Sequence, residues 1–152
     1  MTERRTDVPP FDRAFFSADG RVSRIGAGSL GGKASGLLLA RDAAEERLPP
    51  GSVPGASVVV PSLAVVATGV FDAFVERNGL RDVALSGEPD DAIARAFLRG
   101  DVPAELVGDV RALVEEVKSP LAARSSSLLE DAREHPLAGV YARKMIPNDS
   151  PS

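Results

Sequence analysis

The interpretation of this chain depends first on the stretch Gly26-Ala-Gly-Ser-Leu-Gly-Gly-Lys33. Glycines allow backbone N–H groups to approach a ligand closely, and the small residues that follow lead into an apolar run and then a charged run. This pattern predicts a helix from Gly32 to about Arg47 that begins inside the glycine run. The positive end of that helix, together with the charge of Lys33, favours an anionic ligand such as phosphate.

A second cationic segment, Ala123-Arg-Ser-Ser-Ser127, lies near the other end of the chain. Residues 121–125 are predicted as a short strand that enters the hydroxyl cluster. The guanidinium of Arg124 suits bidentate binding of phosphate oxygens, and Ser125 begins a run of hydroxyl groups beside it. The spacing fits equally well a structural ion pair of Arg124 with Glu130 or Asp131, and serines that form a turn and an N-cap.

The composition excludes several classes of protein and site. The 152 residues contain no cysteine, which removes disulfides, thiolate metal sites and cysteine nucleophiles. A net charge of −4 and few aromatic residues argue against nucleic acid as a partner. No apolar run approaches the roughly 20 residues that cross a bilayer, and residues 1–10 carry no apolar core of a secretory signal. We therefore expect a cytoplasmic protein with no membrane partner.

Between the two cationic segments, short apolar runs alternate with helical patterns. Ala56-Ser-Val-Val-Val60 predicts a buried strand, and Ser62 then predicts the N-cap of a helix that runs from Leu63 to Asn78. Further helices are predicted over residues 90–98 and 103–117, with an extended hairpin arm over residues 137–146. This alternation favours a layered α+β or α/β domain.

Two familiar phosphate-binding motifs fit the glycine run poorly. Residues 26–31 match G-x-G-x-x-G, but only a weak strand, residues 21–25, precedes them, and no acidic residue ends a strand about 20 positions later. The Walker A pattern fails because Ala27 replaces its first glycine and Ala34 replaces the hydroxyl residue that binds magnesium. A dinucleotide-binding fold and a P-loop are therefore both disfavoured.

The two segments resemble parts of the N-terminal ATP-binding domain of phosphoenolpyruvate synthases and pyruvate phosphate dikinases, which is of the ATP-grasp type. Residues 60–74 and 136–148 extend the resemblance in the same order, so that it spans roughly residues 20–148. It implies an N-terminal extension at 1–24, the first lobe of the ATP-binding domain at 25–148 and a tail at 149–152. The implied fold is a small mixed sheet with several helices.

The resemblance also implies roles for individual residues. Lys33 and Arg124 would contact the phosphates of ATP and serve as the catalytic cations. The other implied nucleotide-binding residues are the glycines that admit the phosphates, a neighbouring hydroxyl and a loop over the nucleotide, namely Gly31, Gly32, Ser125 and Gly139. Arg143 stands where relatives tend to have threonine, which leaves the role of residues 141–144 open.

In enzymes of this family ATP donates a phosphoryl group to a histidine on a separate domain, which carries it to pyruvate. The resemblance implies that the acidic ligands of Mg²⁺, the phosphohistidine and the pyruvate site lie beyond Ser152, so no metal ligand is predicted within the chain. The expected function is the ATP-binding lobe of a phosphotransferase, or kinase, that works with further domains or a separate subunit. The alternative is a non-catalytic regulatory or interaction module that keeps the nucleotide-binding fold, and whether the chain is itself an enzyme is left open.

Overall fold

The computed structural model describes residues 8–12, 22–49, 51–56, 58, 60–126 and 143–148. These ranges contain five helices and four strands: β1 (Val22–Ile25), α1 (Gly32–Arg47), β2 (Leu63–Val66), α2 (Thr68–Arg77), α3 (Leu80–Ala84), α4 (Asp90–Arg99), α5 (Ala104–Glu116), β3 (Leu121–Arg124) and β4 (Arg143–Ile146). The strands form two small sheets, one parallel and one antiparallel. The predicted α+β class is confirmed.

The first sheet is a β-α-β unit. Strands β1 and β2 pair in parallel, with Val22 opposite Leu63 and Ile25 opposite Val66. Parallel neighbours need a crossover connection, and α1 lies within it. On the other edge of β1, Arg24 accepts a hydrogen bond from the N–H of Phe11 at 2.8 Å and donates one to the carbonyl of Pro9 at 2.9 Å.

The core lies between this sheet and α1. It consists of five buried side chains, with Leu30 and Leu63 packed against them: Val8, Val22, Ala34, Leu38 and Val65. The helix buries only Ala34 and Leu38, which are four residues apart and therefore share one face. This narrow contact fixes the N-terminus of α1 next to the carboxyl end of β1.

The region around β2 corrects two predictions. No strand is assigned at the described positions of 56–60, where Val58 is 59% exposed, and the strand lies at Leu63–Val66 instead. The predicted helix consequently begins at Thr68, with Ala67 rather than Ser62 as its N-cap. Apolar residues at three- and four-residue steps indicated a helix, but backbone pairing with β1 outweighs that local pattern.

The helices that follow agree closely with the sequence. The predicted helices at 90–98 and 103–117 are found as α4 and α5. Gly79 adopts the predicted left-handed conformation, with φ of 61°, but the chain resumes at once as the unpredicted helix α3, whose Leu80 is buried. Within the described ranges, no helix combines the length and apolar character needed to cross a membrane.

Asn78 joins α2 to the α4–α5 connection. Its side-chain amide donates to the carbonyls of Phe74 at 2.8 Å and Asp101 at 3.0 Å, and its carbonyl accepts the N–H of Asp101 at 2.7 Å. The ring of Phe74 packs against Phe97 at 6.2 Å between centroids. A Cβ at Gly100 would meet the ring of Phe74 at 2.7 Å, so only glycine fits this approach without movement of the ring.

The second sheet is the antiparallel pair β3 and β4, in which Leu121 lies opposite Ile146 and Arg124 lies opposite Arg143. The predicted strand at 121–125 is therefore confirmed as β3, and β4 forms the end of the predicted arm, whose residues 137–142 lie outside the described ranges. Asn148 donates its side-chain amide to the carbonyls of Val114, at 3.0 Å, and Val117. These bonds anchor the end of the arm to the C-terminus of α5.

Candidate functional site

The glycine loop, residues 26–31, connects the end of β1 to the start of α1. Gly26, Gly28 and Gly31 have φ angles of 79°, 112° and 77°, which L side chains rarely adopt. The carboxyl edge of parallel strands is the usual position of ligand sites in α/β units, and α1 directs its positive end to this edge. The sequence prediction that α1 begins at Gly32 is confirmed.

Hydrogen bonds hold the glycine loop against the start of α2. The N–H groups of Thr68 and Gly69 donate to the carbonyls of Ser29 and Ala27, both at 2.9 Å, and Thr68 Oγ1 accepts the N–H of Ser29 at 3.0 Å. The first donors of α2 are thus satisfied within the protein. Of the two neighbouring helix N-termini, α1 is therefore the better placed to bind an anion.

The same contact weakens the dinucleotide interpretation. The strand that it needs is present as β1, but a Cβ at Gly28 would meet the backbone nitrogen of Gly69 at 2.6 Å and Thr68 Oγ1 at 2.7 Å. Gly28 therefore packs against protein where that interpretation places a pyrophosphate. The strand that follows, β2, ends at Val66 with no acidic residue to bind a ribose.

Ser126 brings the two cationic segments together. Its Oγ accepts the N–H of Ala34 at 3.1 Å and donates to the carbonyl of Leu30 at 3.2 Å. The N-cap residue of α1, Gly31, has no side chain that could cap the helix, so Ser126 supplies this hydrogen bond from 92 positions away. A Cβ at Gly31 would collide with the backbone carbonyl of Ser126. The glycine loop and the end of β3 are thus in direct contact.

The predicted site residues occupy this junction as follows. Gly31 is buried as the N-cap of α1, Gly32 is its first residue, and the half-buried Lys33 is its second. Arg124 is the exposed last residue of β3. The Oγ of Ser125 is buried and has no hydrogen-bond partner among the described residues. Gly139 lies outside the described residues, as do Glu130 and Asp131, the alternative ion-pair partners of Arg124.

Three cationic side chains belong to the segments that form this junction: Lys33, Arg124 and Arg143. Arg124 and Arg143 are directly opposed in the β3–β4 ladder, and both are exposed. Within the described residues, Arg41 pairs with Asp42 and Glu45 in later turns of α1, and Arg95 pairs with Asp91 in α4. Lys33 also has an interaction partner within the protein. In a chain of net charge −4 this is a local concentration of positive charge.

Two relationships at this junction could not be predicted from the sequence. A glycine at the start of α1 indicates that any side-chain cap must come from elsewhere, but the sequence does not say that Ser126 provides it. The charge of Arg143 was visible, yet its position opposite Arg124 depends on a strand register that the sequence does not give. Both relationships join residues that are far apart in the chain.

A parallel β-α-β unit with a glycine loop at its carboxyl edge and a cationic rim is typical of domains that bind the phosphates of nucleotides. Residues 27–146 of the 152 match the family described as pyruvate phosphate dikinase, AMP/ATP-binding domain, and the chain belongs to that family. The family resemblance seen in the sequence is therefore confirmed. Comparisons with curated proteins and with solved structures each gave no significant match.

Proposed function

We propose that this chain is the ATP-binding lobe of a phosphoenolpyruvate synthase-like phosphotransferase. In this proposal the phosphates of ATP lie where the glycine loop meets the end of β3. The observation that carries it is the pair of hydrogen bonds at Ser126 Oγ, which donates to the Leu30 carbonyl and accepts the N–H of Ala34. These bonds bring both cationic segments to the N-terminus of α1. Membership of the ATP-binding family supports the identity of the ligand.

Each proposed residue has a distinct role. Lys33, in the first turn of α1, adds a full charge to the positive end of the helix dipole. Arg124 offers a planar guanidinium that binds two phosphate oxygens at once. Gly32 leaves the backbone accessible at the helix start, whereas Gly31 is buried and allows the close approach of Ser126. Gly139 belongs to the proposal as part of a loop over the nucleotide. These cations would stabilise negative charge on the transferring phosphoryl group.

Ser125 provides a further donor in this proposal. A buried hydroxyl without a partner carries a free-energy cost, and the Oγ of Ser125 has none among the described residues. This side chain adjoins both Arg124 and Ser126 in sequence. A rotation of this side chain that brings its Oγ to a phosphate oxygen would remove the cost, so nucleotide binding would stabilise the protein at this position.

The described residues contain no magnesium site that protein side chains alone would complete. Mg²⁺ prefers carboxylate oxygens, and within the described ranges no three Asp, Glu or His side chains are grouped closely enough to hold a metal ion. We therefore propose only phosphate binding for these residues. The magnesium ligands and the phosphoryl acceptor would belong to other domains or a separate subunit of the same enzyme, which we place in the cytoplasm.

Calorimetric titration with ATP tests the proposal. We expect Lys33→Ala and Arg124→Ala each to weaken ATP binding by about tenfold or more, because each removes a charged hydrogen-bonding partner. Arg47→Ala is the matched control, since Arg47 is an exposed arginine at the opposite end of the 16-residue helix α1, more than about 20 Å from Gly32. Failure of the unmodified chain to bind ATP, or equal affinities in all three variants, would overturn the proposal.

The second candidate is a non-catalytic module that binds ATP and performs no phosphoryl transfer. It would bind ATP at the same junction of the glycine loop and the end of β3. Incubation of the chain with Mg²⁺ and ATP labelled at the γ-phosphate tests this second candidate. Label on the protein or released as phosphate, abolished by Lys33→Ala, would exclude the non-catalytic module.

A further inference from the structure

We infer that Arg143 is a third phosphate-binding cation of this site and that it directs the site towards polyphosphates. The inference rests on the proposed function, which it extends to a residue of β4. Its starting point is the register of the β3–β4 ladder, in which Arg143 is the direct partner of Arg124.

The register places the two guanidinium groups on one face of the hairpin. Direct cross-strand partners have Cβ atoms about 5 Å apart and point to the same side of the sheet. Like charges in such a position destabilise the pair unless an anion compensates them. Both arginines are exposed, and no described acidic residue forms an ion pair with either.

The hairpin presents this pair to the nucleotide site. Arg124 ends β3 and Arg143 begins β4, so both lie at the end of the hairpin from which the chain enters Ser125 and Ser126. Ser126 in turn contacts the first turn of α1, where Lys33 lies. An anion bound at this end would therefore meet charges from three separate elements, α1, β3 and β4.

The number of cations indicates the class of ligand. A single phosphate group is compensated by one guanidinium and a helix N-terminus, whereas two opposed guanidinium groups beside that N-terminus match the larger charge of a diphosphate or triphosphate. Removal of Arg143 should therefore affect ATP more than ADP, and AMP least. The ligand class that Arg143 selects is a nucleoside polyphosphate.

The chain offers a closely matched control for this inference. Arg143→Thr removes one positive charge and leaves a residue that suits a strand, and Lys144→Thr makes the same kind of change one position later. Because successive strand residues point to opposite faces, Lys144 lies on the other side of the hairpin, opposite Ala123. The two variants therefore have equal net charge but differ in the face that loses the cation.

Calorimetric titration of both variants with ATP, ADP and AMP is the test. We expect Arg143→Thr to weaken ATP binding about tenfold and AMP binding less than twofold, and Lys144→Thr to leave all three affinities within about twofold. The salt dependence of ATP binding should also become shallower in Arg143→Thr alone. If ATP affinity in Arg143→Thr equals that in Lys144→Thr while Arg124→Ala weakens binding, Arg143 has no role and the proposed function stands.

A thermal melt without ligand separates binding from a structural role. If Arg143 binds the ligand, Arg143→Thr should leave the melting temperature of the free chain unchanged or raise it, because the repulsion between Arg124 and Arg143 is removed. The increase in melting temperature produced by saturating ATP should become smaller. A lower melting temperature of the free chain, with an unchanged ATP-induced increase, would contradict the inference. Absence of ATP binding in every chain, the unmodified one included, would instead refute the proposed function.

Discussion

The hydroxyl oxygen of Ser126 lies 3.1 Å from the backbone nitrogen of Ala34 and caps a helix that begins 94 positions earlier in the chain, at Gly32. A cap of this kind stabilises a helix by about 1 kcal/mol. In α1 the cap comes from the segment that also carries Arg124. One hydrogen bond therefore contributes both to helix stability and to the contact between the two halves of the site.

We expect Ser126→Ala to lower the free energy of unfolding by about 1–2 kcal/mol, because it removes the cap on Ala34 and the donor to Leu30. For a domain of this size this corresponds to a decrease of a few degrees in melting temperature. Scanning calorimetry measures the melting temperature of the variant. Ser119→Ala is the control, since Ser119 is an exposed serine in the connection before β3. Equal melting temperatures for the two variants would show that the cap has no energetic role.

Two glycines of α1 should respond in opposite ways to alanine. Gly31→Ala introduces a Cβ at positive φ and against the Ser126 carbonyl, so we expect a loss of stability of about 1–3 kcal/mol. Gly36 is helical and a Cβ there meets open space, so Gly36→Ala should stabilise the chain by about 0.5–1 kcal/mol. Urea unfolding of both variants measures the difference. A loss of stability in Gly36→Ala would contradict this account of α1.

Thr68 allows a test of the link between the glycine loop and α2. Thr68→Val keeps the shape of the side chain but removes the acceptor of the Ser29 N–H, whereas Thr68→Ser keeps the acceptor. We expect faster amide exchange at Ser29 and weaker ATP binding in Thr68→Val, because the glycine loop loses one of the hydrogen bonds that hold it against α2. Exchange measured by NMR provides the readout. Thr68→Ser should keep the exchange rate of Ser29 and the ATP affinity of the unmodified chain. If Thr68→Val also leaves both values unchanged, the prediction is wrong.

Asn78 should be important for the contact between α2 and the α4–α5 connection, but not for nucleotide binding. Asn78→Ala removes two hydrogen bonds to Asp101 in the α4–α5 connection and one to Phe74 in α2, and we expect it to lower the free energy of unfolding by about 1–3 kcal/mol. Asn78→Asp keeps the acceptor for the Asp101 N–H and should cost less. Urea unfolding ranks the variants. Titration with ATP at a temperature where both remain folded should give unchanged affinities.

Much of the fold could be predicted where local rules decide it. Local backbone conformation determines the start of α1 at Gly32, the left-handed turn at Gly79, and the starts of α4 and α5 after prolines. The start of α2 was predicted wrongly because Leu63–Val66 satisfies a helical period and a strand equally well. Pairing with β1, a contact between distant segments, decides that case.

The candidate site shows the same division. Lys33 and Arg124 were predicted from their own neighbours in the sequence, and their roles stay predictions. The contact between their segments required knowledge of the fold, because Ser126 and Ala34 are related only through the positions of β3 and α1. The register that opposes Arg124 and Arg143 likewise follows from the packing of β4.

The long separation between Ser126 and α1 has a consequence for protease resistance. Local opening that detaches β3 also removes the cap of α1, so α1 and β3 should become susceptible to cleavage together. A nucleotide held between them would oppose this opening by an amount that grows with its concentration. A ligand that contacts a few residues would thereby protect peptide bonds in two segments that lie far apart in the chain.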